Sequence, residues 1–169
     1  MRRNLRSSAL FRLATWAAAG AWLTVSACGS KGAVDVTADL HDPEMIVGQA
    51  SGLAAVLTGG FGLRASLGSS AAATDITLGK FTLVNADQVM LVVLKFTTNP
   101  AAPYHLEPGG NLDLTTTIAD QTGTPGQVLT KSEETAVCAA RAAVQVVGSI
   151  TGAHGQVPVT SPTFKVACP

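Results

Sequence analysis

The chain has 169 residues, 47% of them hydrophobic, 5% aromatic and 13% charged. Eleven basic and 11 acidic residues cancel to zero net charge, and beyond the N-terminus the Lys and Arg residues stand singly. A positive surface able to track a phosphate backbone is excluded, and with it a nucleic-acid partner.

Arg2, Arg3, Arg6 and Arg12 precede any acidic residue, the first of which is Asp35. An apolar run of about 11 residues follows, from Leu13 to Leu23. That length suits the core of a secretory signal and falls far short of the ~20 residues a membrane span needs. Small residues come next and end in Val25-Ser26-Ala27-Cys28. This quartet resembles the lipobox of bacterial lipoproteins. The resemblance implies that 1–27 is a removable signal peptide, that Cys28 receives a diacylglyceryl group on its sulfur, and that 28–32 is a lipidated tether. One acyl chain, at about 0.8 kcal/mol per buried methylene, holds a protein only reversibly. The lipoprotein class implies at least two. The expected partner of Cys28 is therefore a membrane, and the expected location is the bacterial cell envelope. Gly29 stands where an inner-membrane retention signal would carry Asp, which points to the outer membrane if the cell has two.

Without the leader, 142 residues carry seven basic and 11 acidic side chains, a net charge of −4. Both tryptophans, Trp16 and Trp22, go with the leader. Lipid consumes Cys28 and leaves Cys138 and Cys168, which are expected to pair in an oxidising compartment. His41, His105 and His154 are scattered, so no zinc-ligand spacing is present.

Val34, Val36 and Ala38 alternate with polar residues as a first strand, and 39–44 reads as a polar connection because Pro43 interrupts it. Gly59-Gly60 separates two apolar arms, 53–58 and 61–67, as a hairpin turn would. Two further arms, 76–84 and 88–98, flank Asn85-Ala86-Asp87. The run Val89-Met90-Leu91-Val92-Val93-Leu94 reads as a strand buried on both faces at the centre of the fold. Residues 99–110 form a proline-punctuated loop, after which Leu112, Leu114, Thr116 and Ile118 alternate.

Residues 132–147 are ambiguous. Ser132-Glu133-Glu134 could start a helix, but the β-branched 144–150 stretch favours strand. A hairpin centred at 153–154 would also place Cys138 and Cys168 nearly opposite one another. Strand is the expectation, with Pro158 and Pro162 at an edge or bulge. The whole of 33–169 is then one all-β domain, an antiparallel β-sandwich of immunoglobulin-like architecture with seven to nine strands. Its core is expected to hold Phe81, Leu91, Val93, Leu112, Leu114 and Phe164.

Residues 33–169 carry no family signature of their own. No Gly-x-Ser-x-Gly elbow, phosphate loop or His–acid–nucleophile spacing is present, so no catalytic activity and no cofactor are expected. Asp35, Asp39, His41, Asp42 and Glu44 are the densest set of candidate ligands, but their spacing fits no calcium loop and no metal is expected there. Tyr104, His105 and Glu107 are the candidate ligand contacts, because a long loop on a rigid sheet is where binding residues concentrate. The expected function is that of a non-catalytic, membrane-anchored envelope lipoprotein that supports or recruits envelope proteins. The alternative is a ligand- or glycan-binding module using the 99–110 loop.

Overall fold

The structure is a computed structural model that describes residues 36–49, 54–153 and 155–169. The signal peptide, Cys28, the tether, Asp35, Leu53 and His154 lie outside the described residues. What is described belongs to one compact unit, Gly32–Pro169.

It is an antiparallel β-sandwich. The strands are β1 (Val36–Gln49), β2 (Ala55–Leu67), β3 (Thr74–Leu78), β4 (Phe81–Asn85), β5 (Met90–Leu94), β6 (Phe96–Asn99), β7 (Tyr104–Leu106), β8 (Asn111–Ile118), β9 (Gln127–Val128), β10 (Val144–Gly152), β11 (Gly155–Thr160) and β12 (Val166–Ala167). Among the described residues one helix, α1 (Lys131–Ala140), interrupts them. The first sheet has the order β12-β1-β2-β8-β6, with β9 also on β2; the second has β5-β4-β10-β3-β7, with β11 also on β10. Among the described residues only β1 and β12 pair in parallel. One core of side chains from both sheets fills the space between them.

The described residues hold 12 strands where seven to nine were expected. Two of them, β9 and β12, are only two residues long, and so short a segment has no alternation to detect. The arm 76–84 is broken at Gly79-Lys80, yet both halves serve one edge of β10. Val147 pairs with Thr82 on one side and Thr160 on the other, and Ile150 likewise with Leu78 and Val157. The arm 88–98 breaks at Lys95, where the chain passes from the second sheet (β5) to the first (β6).

Three further expectations are corrected. Residues 39–44 are part of β1, not a connection. The ladder to β2 skips between His41 and Glu44, Asp42 takes a φ of 48°, and Pro43, which lacks an N–H, falls inside the resulting bulge. Gly59-Gly60 is not a turn but the middle of β2. A Cβ on Gly59 would stand 2.0 Å from the Glu44 carbonyl oxygen, and one on Gly60 would stand 1.9 Å from that of Thr116. The glycines therefore permit close approach of neighbouring strands instead of chain reversal. The apolar run 89–94 lies on the outermost strand, β5, and leaves Val89, Met90 and Val93 56, 61 and 40% exposed.

Of the expected core, Phe81 and Leu114 are fully buried, and Leu91, Leu112 and Phe164 pack partly buried against it. Val93 points outward.

The first half of 132–147 is helix. Thr130 accepts the Glu133 N–H at 3.2 Å, while the Glu133 carboxylate accepts the Thr130 N–H at 2.7 Å, a reciprocal cap that outweighs the strand tendency downstream. Cys138 and Cys168 do form a disulfide, with Cα atoms 5.9 Å apart. It joins α1 to the segment after β12 and does not cross a hairpin. The β10–β11 hairpin closes between Gly152 and Gly155 as expected, with Pro158 on β11, whose sole strand partner among the described residues is β10.

At the crossover one buried side chain ties the sheets together. Gln127 on β9 accepts the Lys95 N–H at 2.8 Å and donates to the Val93 carbonyl at 2.9 Å. It occupies the outer edge of β5 much as another strand would. Gln127→Leu leaves both backbone groups without a partner, and each buried orphan costs about 1–3 kcal/mol. We expect urea unfolding of this variant to show a loss of about 2–4 kcal/mol; a loss under about 0.5 kcal/mol would mean the bridge is dispensable.

Candidate functional site

The bulge and the glycines together shape the outer face of the first sheet. Side chains on that face come from alternate positions, and the pairing registers align them in rows: Asp39, Arg64 and Asp113; then His41, Gly62 and Thr115; then Glu44, Gly60 and Thr117. Where β2 offers only glycine the surface is indented. The result is an open trough of about 480 Å³ between His41, Asp42 and Glu44 on one bank and Thr115 and Thr117 on the other, with Gly59–Gly62 along its floor.

His41 lies across the floor. A Cβ on Gly62 would stand 2.1 Å from the ring carbon Cε1, so the imidazole lies against the glycine it faces across the ladder. This is the aromatic-over-glycine pairing that compensates for the missing side chain in a sheet. Nδ1 of His41 contacts the Asp42 carboxylate at 2.9 Å, while Nε2 is buried without a hydrogen-bond partner. The left-handed turn at Asp42 aims that carboxylate back at the ring. Next to the trough, Arg64 donates to Asp113 at 2.7 Å; this bond, with the charges of Asp113 and Asp39, raises the guanidinium pKa further. Thr116 points inward, and its buried hydroxyl exchanges hydrogen bonds with the backbone of Phe61.

The candidate contacts Tyr104, His105 and Glu107 meet a different fate. Residues 104–106 are strand β7, paired with β3. Tyr104 is 7% exposed, and its hydroxyl bonds to that of Thr98. It is a core residue, which removes it as a stacking platform. His105 and Glu107 stay outside. Nδ1 of His105 lies 2.7 Å from the Asp75 carboxylate and Nε2 lies 3.3 Å from that of Glu107. Carboxylates only accept, so both contacts favour the protonated ring. The hydrogen bond to Asp75, followed by the charges of Asp75 and Glu107, raises the His105 pKa.

Of the acidic set around His41, the structure joins His41 and Asp42 and sets Asp39 in the row with Arg64. Among the described residues no three His, Cys, Asp or Glu side chains converge as a metal ion would need. The sequence marks Gly60 only as a turn residue and Gly62, Thr115 and Thr117 only as strand positions. The alternation of Leu112, Leu114, Thr116 and Ile118 is the signal that puts Thr115 and Thr117 on the outer face.

The chain matches no family model and no curated protein. Among solved structures it is similar to an X-ray structure of a Northeast Structural Genomics Consortium target. That likeness covers 80% of this chain and 88% of the other, with a TM-score of 0.45 and 12% identity.

Two outcomes check this geometry. Gly60→Ala drives a methyl into the Thr116 carbonyl, whereas Gly62→Ala meets only a ring that can swing aside. The first variant should lose about 3 kcal/mol or more and the second clearly less, measured by thermal and urea unfolding. For His105, a folded-state pKa above the unfolded one means that its ion pairs stabilise at pH below the ordinary value. That contribution fades as pH rises through the folded value. Asp75→Asn should lower the His105 titration seen by NMR and destabilise the protein at acidic pH, converging on the parent once pH has risen through the folded His105 value.

Proposed function

We propose that the chain is a non-catalytic bacterial envelope lipoprotein, held to a membrane by lipid on Cys28, that supports or recruits other envelope components. The quartet Val25-Ser26-Ala27-Cys28 carries this reading. Val36 is eight residues beyond Cys28, and eight residues reach at most about 29 Å when fully extended. The sandwich would therefore sit close to the bilayer, with the start of β1 nearest to it. The Cys138–Cys168 disulfide fits an oxidising extracytoplasmic setting. A rigid sheet domain on a short lipid tether suits a role in placing a surface at a fixed height.

Metabolic labelling with palmitate in the native host tests the anchor. The protein should take up label and shift on processing, and Cys28→Ala should abolish both. A cleaved, soluble and unlabelled protein would overturn the proposal. Affinity capture from detergent-solubilised membranes then tests the role, with reproducible envelope proteins as the expected result.

A further inference from the structure

We infer that the trough on the outer face of the first sheet binds a neutral saccharide chain. This goes beyond the anchored-scaffold reading and does not depend on it.

The volume of about 480 Å³ lies within the range of small-ligand sites. Its chemistry is selective. The Thr115 and Thr117 hydroxyls make no hydrogen bond to other described side chains or backbone, and each can both donate and accept. Glu44, on the opposite bank, has no ion pair among the described residues and can only accept. Sugar hydroxyls are also donors and acceptors, so they match this set in either sense. His41 adds a planar ring, seated on Gly62 on one side and 39% exposed overall, against which the C–H face of a pyranose can lie.

The other ligand classes fit less well. A peptide strand needs an unpaired sheet edge for its main chain, but the floor is the middle of a ladder whose neighbours on both sides are occupied by β1 and β8. A metal ion needs converging ligands, and Asp42 is already engaged by His41. An anionic polymer meets Asp39, Asp42, Glu44 and Asp113 against the single cation Arg64 and is repelled.

The test is calorimetric titration of the disulfide-intact full chain with four hexamers: N-acetylglucosamine, cellohexaose, galacturonic acid and fully deacetylated glucosamine. At least one neutral hexamer should bind, with hydrogen-exchange protection confined to the trough segments 41–44, 58–62 and 113–117, and the galacturonate should not. Glu44→Ala and Thr117→Val should each weaken binding by about tenfold, the loss of one good hydrogen bond. Thr117→Ser should restore it, and Glu107→Gln on the other sheet should leave it unchanged. No binding of either neutral hexamer up to about 10 mM would overturn the proposal. So would protection around 104–107 instead, or binding of the deacetylated hexamer alone that disappears in salt.

Discussion

Two sheets can pack into one core only if side chains between them fill about 10 Å without voids. In a chain this poor in aromatics, three phenylalanines from different strands meet that requirement. Phe61 and Phe96 project from the first sheet and Phe81 from the second, with ring centroids 5.3 to 6.0 Å apart in tilted and edge-on contacts. Phe81 is fully buried because the residue it faces on β10 is Gly148, where a Cβ would stand 2.3 Å from the ring. The glycine lets the ring lie down, and the ring fills the space the glycine vacates. The surrounding aliphatic core is built outward from that contact.

The margins of the sandwich are closed by specific polar and covalent links. Gln127 satisfies the edge of β5 where the chain changes sheets, so a strand with exposed Met90 and Val93 does not offer all of its backbone to another chain. At the same end α1, capped by Thr130 and Glu133, buries Val137. The disulfide ties this helix to the C-terminal segment, whose Val166 pairs with Met45 of β1. Closing a loop of 30 residues restricts the unfolded chain, the usual source of a disulfide's stabilising effect.

The outer surface follows from the same use of glycine. Gly59 and Gly60 let β2 approach both neighbours, Gly62 accepts the His41 ring, and the bulge at Asp42-Pro43 turns a carboxylate toward that ring. The trough is a consequence of how three strands are brought together. Its banks are polar because alternate positions of β1 and β8 face solvent there.

The sequence by itself determined the fold class, because apolar alternation at turn-punctuated spacing leaves each strand one face to bury. It determined the β10–β11 reversal by its glycines, and, with Cys28 set aside for lipid, the cysteine pair by counting. These are local or compositional properties. Only the tertiary structure decided that Gly59-Gly60 is interior to a strand, since the oxygens that demand glycine belong to Glu44 and Thr116 on other strands. The same holds for the apolar run 89–94, because its neighbours, and not its composition, set it at an edge. Tyr104 looked available in a proline-rich loop, and its burial depends on β3 and Thr98. The candidate site was legible only in part: His41, Asp42 and Glu44 stand out as a polar cluster. Their opposite bank lies more than 70 residues away, and the register of β1 on β2 and β2 on β8 alone brings the two together.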